Sequence, residues 1–322
     1  LGLLVYYKYA NFFVENINLL LEAFGAHTIT FAKVLLPIGI SFFTFQSITY
    51  VIDTYRGNNQ PMDRLHDYVL YIMMFPQLIA GPIVRYCDIE QEIRHRNYDW
   101  NEALHGFYRF IIGLSKKVLI SDVIGIQVDK MLASDIALMD SGTAWITIIG
   151  YTMQLYFDFS GYSDMAIGMG RCMGFHFNEN FNHPYCGTSI TDFWRRWHIS
   201  LGSFFRDYVY IPLGGNRRHQ ALNLLVVWFL TGMWHGASWN FIIWGLYFGL
   251  IVLIEKYTIL RIADRIPRFV QHLYCLFLVV LGWGLFYYDD LGAMGKFLSS
   301  LFGHTEAVAD ISVQSALLGN FW

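Results

Sequence analysis

Charge is what this sequence has least of. Charged residues are 15% of its 322 residues, where ordinary soluble domains carry about 25%. Together with a mean hydropathy of +0.37, that deficit argues against a soluble domain. The net charge of −3 gives no reason to expect nucleic acid as a partner. Cysteine is scarce too: Cys87, Cys172, Cys186 and Cys275 show neither CxxC spacing nor an evident pairing, so no disulfide and no metal site is assigned. A Gly-x-Ser-x-Gly elbow is missing, which leaves a conventional serine hydrolase mechanism unsupported. There is no initiating Met and no signal-peptide pattern, and the chain ends on Asn320-Phe321-Trp322 without a polar tail, so it is expected to be a piece of a longer protein.

What is abundant is apolar and aromatic: 55% of residues are hydrophobic and 18% aromatic. Charge-poor runs recur at Val34–Ile52, Val69–Val84, Ser141–Phe157, His219–Ile254 and Phe269–Tyr288, and a membrane span needs ~20 apolar residues. Leu1–Phe24, Leu104–Ile126 and Met294–Trp322 are further candidates. They are weakened by Lys8 and Glu15, by Arg109, Lys116 and Lys117, and by Lys296, Glu306 and Asp310 respectively. The expected fold is an all-α, polytopic integral membrane protein with roughly eight transmembrane or re-entrant helices.

From His219 to Ile254 there is no Asp, Glu, Lys or Arg, yet His235 sits near the middle. An imidazole carried into hydrocarbon without partners loses several kcal/mol of hydration, so such a residue faces a cavity, a proton path or a substrate unless it is hydrogen-bonded between packed helices. Basic segments mark the cytoplasmic side. Arg94-His95-Arg96, Arg217-Arg218 and Lys256–Arg268 are the basic candidates, whereas Asp289-Asp290 falls outside. The 36 residues from His219 to Ile254 would make about 54 Å of helix. Two short spans fit that better than one, with Gly232, Gly236 and Gly245 available for a bend or close packing and His235 near the middle or outer half of the membrane.

In Tyr151–Arg218 polar residues are embedded in aromatic sequence. Asp158 and Asp164 are expected to end the Ser141–Phe157 run, Pro184 and Gly187 to interrupt helix, and Thr191 or Asp192 to cap a new one. On that helix Asp192, Arg195 and Arg196, with Arg206 and Asp207, supply opposite charges within reach of one another. An interfacial helix with snorkelling arginines is the structural alternative to substrate contact. His198 lies beside apolar Ile199 and Leu201 as the second histidine in a Trp-rich setting.

These segments in order, Phe75–Arg85, Tyr156–Gly168, Asn180–Tyr185, Phe193–Ser200, Arg206–Arg217 and Gly232–Ala237, resemble the membrane-bound O-acyltransferase family, and more narrowly its bacterial branch containing the membrane component of alginate O-acetylation. The resemblance runs from about Leu36 to about Glu255. It implies one membrane domain over residues 1–322, incomplete at both ends, with interfacial helices around a central tunnel. It also implies that His235 is the membrane-embedded catalytic histidine and His198 the second histidine, on the cytoplasmic approach to the site. Arg195, Arg196, Asp192, Trp234 and Asn216 lie in these motifs and are the candidate substrate-binding residues.

Acyl transfer to a hydroxyl needs a base, donors for the developing oxyanion and exclusion of water. An imidazole suits the first requirement, and His235 is assigned as general base, with His198 orienting the acyl donor or supporting the transfer path; a nucleophilic acyl-histidine at either residue is an alternative. The resemblance implies acetyl-CoA as donor substrate, no permanently bound cofactor, a bacterial cytoplasmic-membrane location, and as acceptor an extracytoplasmic polysaccharide or a separate acetyltransferase. Arg195, Arg196, Arg217 and Arg218 could neutralise CoA phosphates or serve only as inside-facing anchors. A sister branch that takes D-alanine from a carrier protein for teichoic acids is the second reading. A transporter or proton channel relaying protons through His198 and His235 is the third, against which stands the lack of visible inverted repeats.

Overall fold

The computed structural model describes residues 1–78, 81–132, 136 and 139–304. Ile79 and Ala80 of the Phe75–Arg85 motif, and the expected span Met294–Trp322 beyond His304, therefore lie outside the described residues. Among the described residues every regular element is helical: α1 Gly2–Ala23, α2 Ile40–Arg56, α3 Leu65–Met73, α4 Phe75–Leu78, α5 Tyr86–Arg94, α6 Trp100–Ser115, α7 Asp122–Leu132, α8 Ser141–Cys172, α9 Ile190–Arg196, α10 Ile199–Phe205, α11 Gln220–His235, α12 Trp239–Tyr257, α13 Ile259–Ile262, α14 Arg268–Tyr287 and α15 Leu291–Leu301. Wider π-helical turns follow α6 at Lys116–Ser121 and α10 at Arg206–Tyr210.

Among the described residues two helical stretches are long and apolar enough to cross a membrane, Trp239–Arg265 and Arg268–Tyr287, rather than the roughly eight expected from charge-poor runs. The helix boundaries divide those runs differently. Val34–Ile52 is broken at Gly39, whose φ is 76°, and only Ile40–Arg56 is helical. Val69–Val84 separates into α3 and α4. Ser141–Phe157 does not stop at Asp158 or Asp164, because each carboxylate meets a cation: Lys117 at 2.5 Å for Asp158, and Arg109 at 2.8 Å and Lys116 at 2.6 Å for Asp164. Pairing removes the cost that made a helix end plausible, and α8 continues for 32 residues.

Where two short spans are expected in His219–Ile254, two helices lie, α11 of 16 residues and α12 of 19 residues, of which α12 belongs to a stretch long and apolar enough to cross a membrane. They cross at the glycines. A Cβ on Gly245 would lie 2.4 Å from the Trp228 carbonyl and 3.1 Å from Gly232 Cα, so only glycine permits this approach. The same device holds α6 on α8, where a Cβ on Gly106 would meet the Gly168 carbonyl at 2.6 Å and one on Gly113 the Gly161 carbonyl at 2.5 Å.

The core is aromatic. Phe193 and Trp197 from the α9 segment, Trp244 and Phe248 from α12, and Val279 and Trp283 from α14 pack with Ile148 of α8 and Phe297 of α15. Apolar side chains of α1 (Leu3, Phe13, Leu20), α6 (Leu104, Phe107, Ile111) and α14 (Phe269, Leu273, Phe277) point outward and exposed. That is the pattern of a surface solvated by lipid.

Candidate active site

The segment bearing His198 is set by its helix ends. Ser189, not Thr191 or Asp192, caps α9: its Oγ accepts the Asp192 N–H at 3.0 Å. Glu255 of α12, fully buried, completes the cap by accepting from Ile190 N–H at 2.6 Å, Thr191 N–H at 2.8 Å and Thr191 Oγ at 2.7 Å. A carboxylate at a helix N-terminus satisfies otherwise orphaned donors and suits the dipole there. After Arg196 the chain turns through Trp197 and then His198, whose φ of 46° and ψ of 54° are left-handed, and restarts as α10. For a non-glycine residue this backbone costs of order 1 kcal/mol and persists only when neighbours enforce it. Here the stretch Asn180–Asn182 does so: Ile199 N–H donates to the Asn180 carbonyl at 3.0 Å, and Asn182 N–H donates to the Arg196 carbonyl at 2.9 Å.

The Asn180 side chain, fully buried, orients the imidazole. Its Oδ1 accepts from Ser200 N–H at 3.3 Å and Ser200 Oγ at 2.9 Å and lies 3.1 Å from His198 Nδ1, while its Nδ2 donates to Ser163 Oγ at 3.1 Å. A backbone N–H can only donate, so the atom facing Ser200 is the oxygen, and His198 Nδ1 must carry the proton. The basic lone pair of neutral His198 is then on Nε2, which is buried without a hydrogen-bond partner among the described residues. Ser200 Oγ in turn accepts Ile83 N–H at 2.9 Å, tying in the Phe75–Arg85 motif.

His235 is the last residue of α11, followed by extended Gly236. Its ring meets the edges of Trp234, Trp244 and Phe286 at centroid distances of 4.9, 4.8 and 5.3 Å. Trp234 also touches His198, at 5.6 Å. Both histidines line one cavity of about 170 Å³ whose other walls are Leu155, Phe159, Trp197, Trp234, Trp244, Trp283 and Phe286. Two imidazoles from separate motifs thus share a small, almost wholly apolar chamber. A second cavity of about 220 Å³ shares His198 and Trp197 with the first and runs past Gly202 to Arg206 and Tyr210.

The remaining residues singled out from sequence divide. Trp234 is in the histidine chamber. Asp192 and Arg196 pair at 2.9 Å and line a different, polar basin of about 570 Å³ with Arg268 and His272. Arg195 is exposed. Asn216 is engaged in holding its loop, accepting from Tyr210 Oη at 2.7 Å and Lys256 Nζ at 2.9 Å. Arg206 is brought to the mouth of the cavity on His198, next to Asp207 and Arg85. Burial works against the Asp207 charge, but hydrogen bonds from Arg206 and Arg85 outweigh it and hold the carboxyl below its usual range. Sequence reasoning missed Asn180 as the orienter of His198, although it opens the Asn180–Tyr185 motif, and missed Trp197, Trp244, Trp283 and Phe286 as chamber walls. Aromatic side chains at helical spacing look alike whether they fill a core or line a cavity.

The sequence profile of the MBOAT, or membrane-bound O-acyltransferase, family matches residues 60–294. The chain is 43% identical over 305 residues, 94% of its length, to a probable alginate O-acetylase of Azotobacter vinelandii, covering 61% of that protein. It is 37% identical over 94% of its length to a peptidoglycan O-acetyltransferase of Helicobacter pylori, covering 63%. To a teichoic acid D-alanyltransferase of Bacillus subtilis it is 30% identical over 67% of its length, covering 58%. The chain spans about three fifths of the length of these curated relatives.

Proposed function

Since this chain belongs to the membrane-bound O-acyltransferase family, we propose that it is the catalytic portion of a multi-pass enzyme of a bacterial cytoplasmic membrane, which moves an acetyl group from cytoplasmic acetyl-CoA to an extracytoplasmic saccharide hydroxyl or to a partner acetyltransferase. The observation that carries the reading is the meeting of His198 and His235 in one aromatic chamber, with the His198 tautomer fixed by Asn180.

In this reading His235 takes the proton of the acceptor hydroxyl as the oxygen attacks the thioester carbonyl. The C–O bond forms, the tetrahedral intermediate expels the CoA thiolate as the C–S bond breaks, and the proton passes from His235 to the sulfur. His198, with Nδ1–H committed to Asn180, presents Nε2 as an acceptor on the donor's path. The aromatic walls keep bulk water from hydrolysing the thioester. The cavity from Arg206 and Tyr210 to His198 is the donor's approach, with Arg206 available to a phosphate oxygen. Asp192, Arg196 and Arg195 serve the cytoplasmic face around it, and Trp234 contacts the acyl group between the two imidazoles.

Greater identity to O-acetylating relatives, over more of the chain, favours acetyl-CoA over a D-alanyl carrier protein as donor. Full-length protein in liposomes, supplied with radiolabelled acetyl-CoA or with D-alanyl carrier protein, tests this. Label released to acceptor from acetyl-CoA alone is expected; transfer from the carrier alone supports the D-alanyl reading instead. Steady proton flux without transfer of either group returns the transporter reading.

A further inference from the structure

The last carbonyls of a helix have no partner within it, and a helix end buried without substitutes is costly. At the end of α11 the chain itself supplies little. Gly236 N–H reaches the Gly232 carbonyl only at 3.4 Å, and Gly236 is extended instead of adopting a left-handed cap. The missing donors come from α1. Tyr9 Oη donates to the Met233 carbonyl at 2.7 Å, and Lys8 Nζ donates to the Trp234 carbonyl, the residue just before His235. Ser41 Oγ of α2 accepts from Lys8 Nζ at 3.2 Å, and the amine stands 5.7 Å from the centroid of the Trp234 ring. Beyond the turn, Trp239 Nε1 donates to Asn16 Oδ1 of α1 at 2.8 Å, with Phe12 against the same indole at 5.6 Å. Helix α1 therefore brackets the Trp234–Trp239 turn on both sides.

Lys8 pairs with no carboxylate among the described residues; its hydrogen-bond partners there are a hydroxyl and the carbonyl end of a helix, with an indole face close by. A cation is favoured at a helix C-terminus and over an indole. A charge kept inside an apolar helix, spent on the carbonyl beside a histidine, needs a reason that packing alone does not give. We propose that Lys8 is a positioning residue for acyl transfer: reaching from α1, it fixes the end of α11 and thereby the place of His235 in the chamber, with Tyr9 as its second contact. The proposal rests on the reading of His235 as the base. Displacing a catalytic group by about 1 Å costs on the order of 100-fold in rate, which is the sensitivity such a bracket would protect.

The test is steady-state acetyl transfer by full-length protein carrying Lys8→Met, Lys8→Arg or Tyr9→Phe, each alone and Lys8→Met also combined with His235→Gln. Lys8→Met is expected to lower kcat by about 10-fold or more with KM for acetyl-CoA within about 2-fold, Lys8→Arg to restore most of kcat, and Tyr9→Phe to lower kcat by about 3-fold. In the His235→Gln background Lys8→Met is expected to change the residual rate no further. Wild-type kcat in a folded Lys8→Met protein, or an undiminished Lys8 effect without His235, overturns the proposal. If Lys8→Met does not accumulate, Tyr9→Phe decides: a lower kcat at unchanged KM supports positioning, and wild-type kcat overturns it. His235→Gln at the wild-type rate would sink the base assignment by itself, a result separable from any Lys8 outcome.

Discussion

Replacing Asn180 by Ala removes the atom on which the orientation of His198 depends. Oδ1 serves His198 Nδ1 at 3.1 Å, Ser200 N–H at 3.3 Å and Ser200 Oγ at 2.9 Å, and both His198 and Ser200 are buried. The Ser200 hydroxyl can rotate toward another acceptor, but the Ser200 N–H and His198 Nδ1–H cannot. Each buried donor left unpaired costs roughly 1–3 kcal/mol, so the two together cost about 2–6 kcal/mol of stability. A freed imidazole also samples both tautomers and other ring angles. A fall of about 100-fold in kcat/KM, some 2.7 kcal/mol of transition-state stabilisation, follows from misorientation of that size. The assay is acetyl transfer by purified Asn180→Ala protein, with its thermal midpoint measured in the same detergent. Asn180→Asp, which keeps an acceptor for Nδ1–H while giving up the donation to Ser163, should be less impaired in rate. Wild-type kcat/KM in a folded Asn180→Ala protein would refute the tautomer argument.

Three further outcomes follow from the geometry. His198→Ala should impair donor use, seen as weaker acetyl-CoA binding or slower appearance of any acyl intermediate, and unchanged donor kinetics would leave His198 structural. Glu255→Ala leaves three donors of α9 without their acceptor and should cost roughly 3–5 kcal/mol, read as a large drop in thermal midpoint, with Glu255→Gln falling between. Because the Asp207 carboxyl is held below its ordinary value of 3.8, its contribution is complete at neutral pH and lost as pH falls through the depressed folded value. The midpoint difference between wild type and Asp207→Asn should thus stay level from about pH 8 to 5 and shrink below about pH 4; a difference that shrinks above pH 6 would contradict it.

Much of the candidate site was legible because the residues proposed to carry its chemistry stand out locally. A histidine inside a charge-free run is conspicuous, and so is a second one among tryptophans. What could not be read was which charges cancel. Asp158 and Asp164 look like helix ends until Lys117, Lys116 and Arg109 of a distant segment come alongside, so the full length of α8 has no local signature. Thr191 and Asp192 were reasonable caps by residue type, yet Ser189 together with Glu255 does the capping, and a carboxylate more than sixty residues away leaves no local trace. Arg196 and Asp192 lie within reach of each other as expected but open onto a separate basin. Lys8 looked like a flaw in an apolar helix, and only the fold brings it to the Trp234 carbonyl.

The approach proposed for the donor is open to labelling at Gly202→Cys, which lines the second cavity. The proposed role of His235 as the base lies nearer the chemistry. The most direct measurement is O-acetyl transfer by full-length His235→Gln protein, which keeps hydrogen bonding but cannot accept a proton at neutral pH, at matched expression and thermal midpoint. Transfer is expected to fall by about 100-fold or more, the contribution of a positioned general base, with insertion and stability near normal. Wild-type transfer by a well-folded His235→Gln protein would contradict the account.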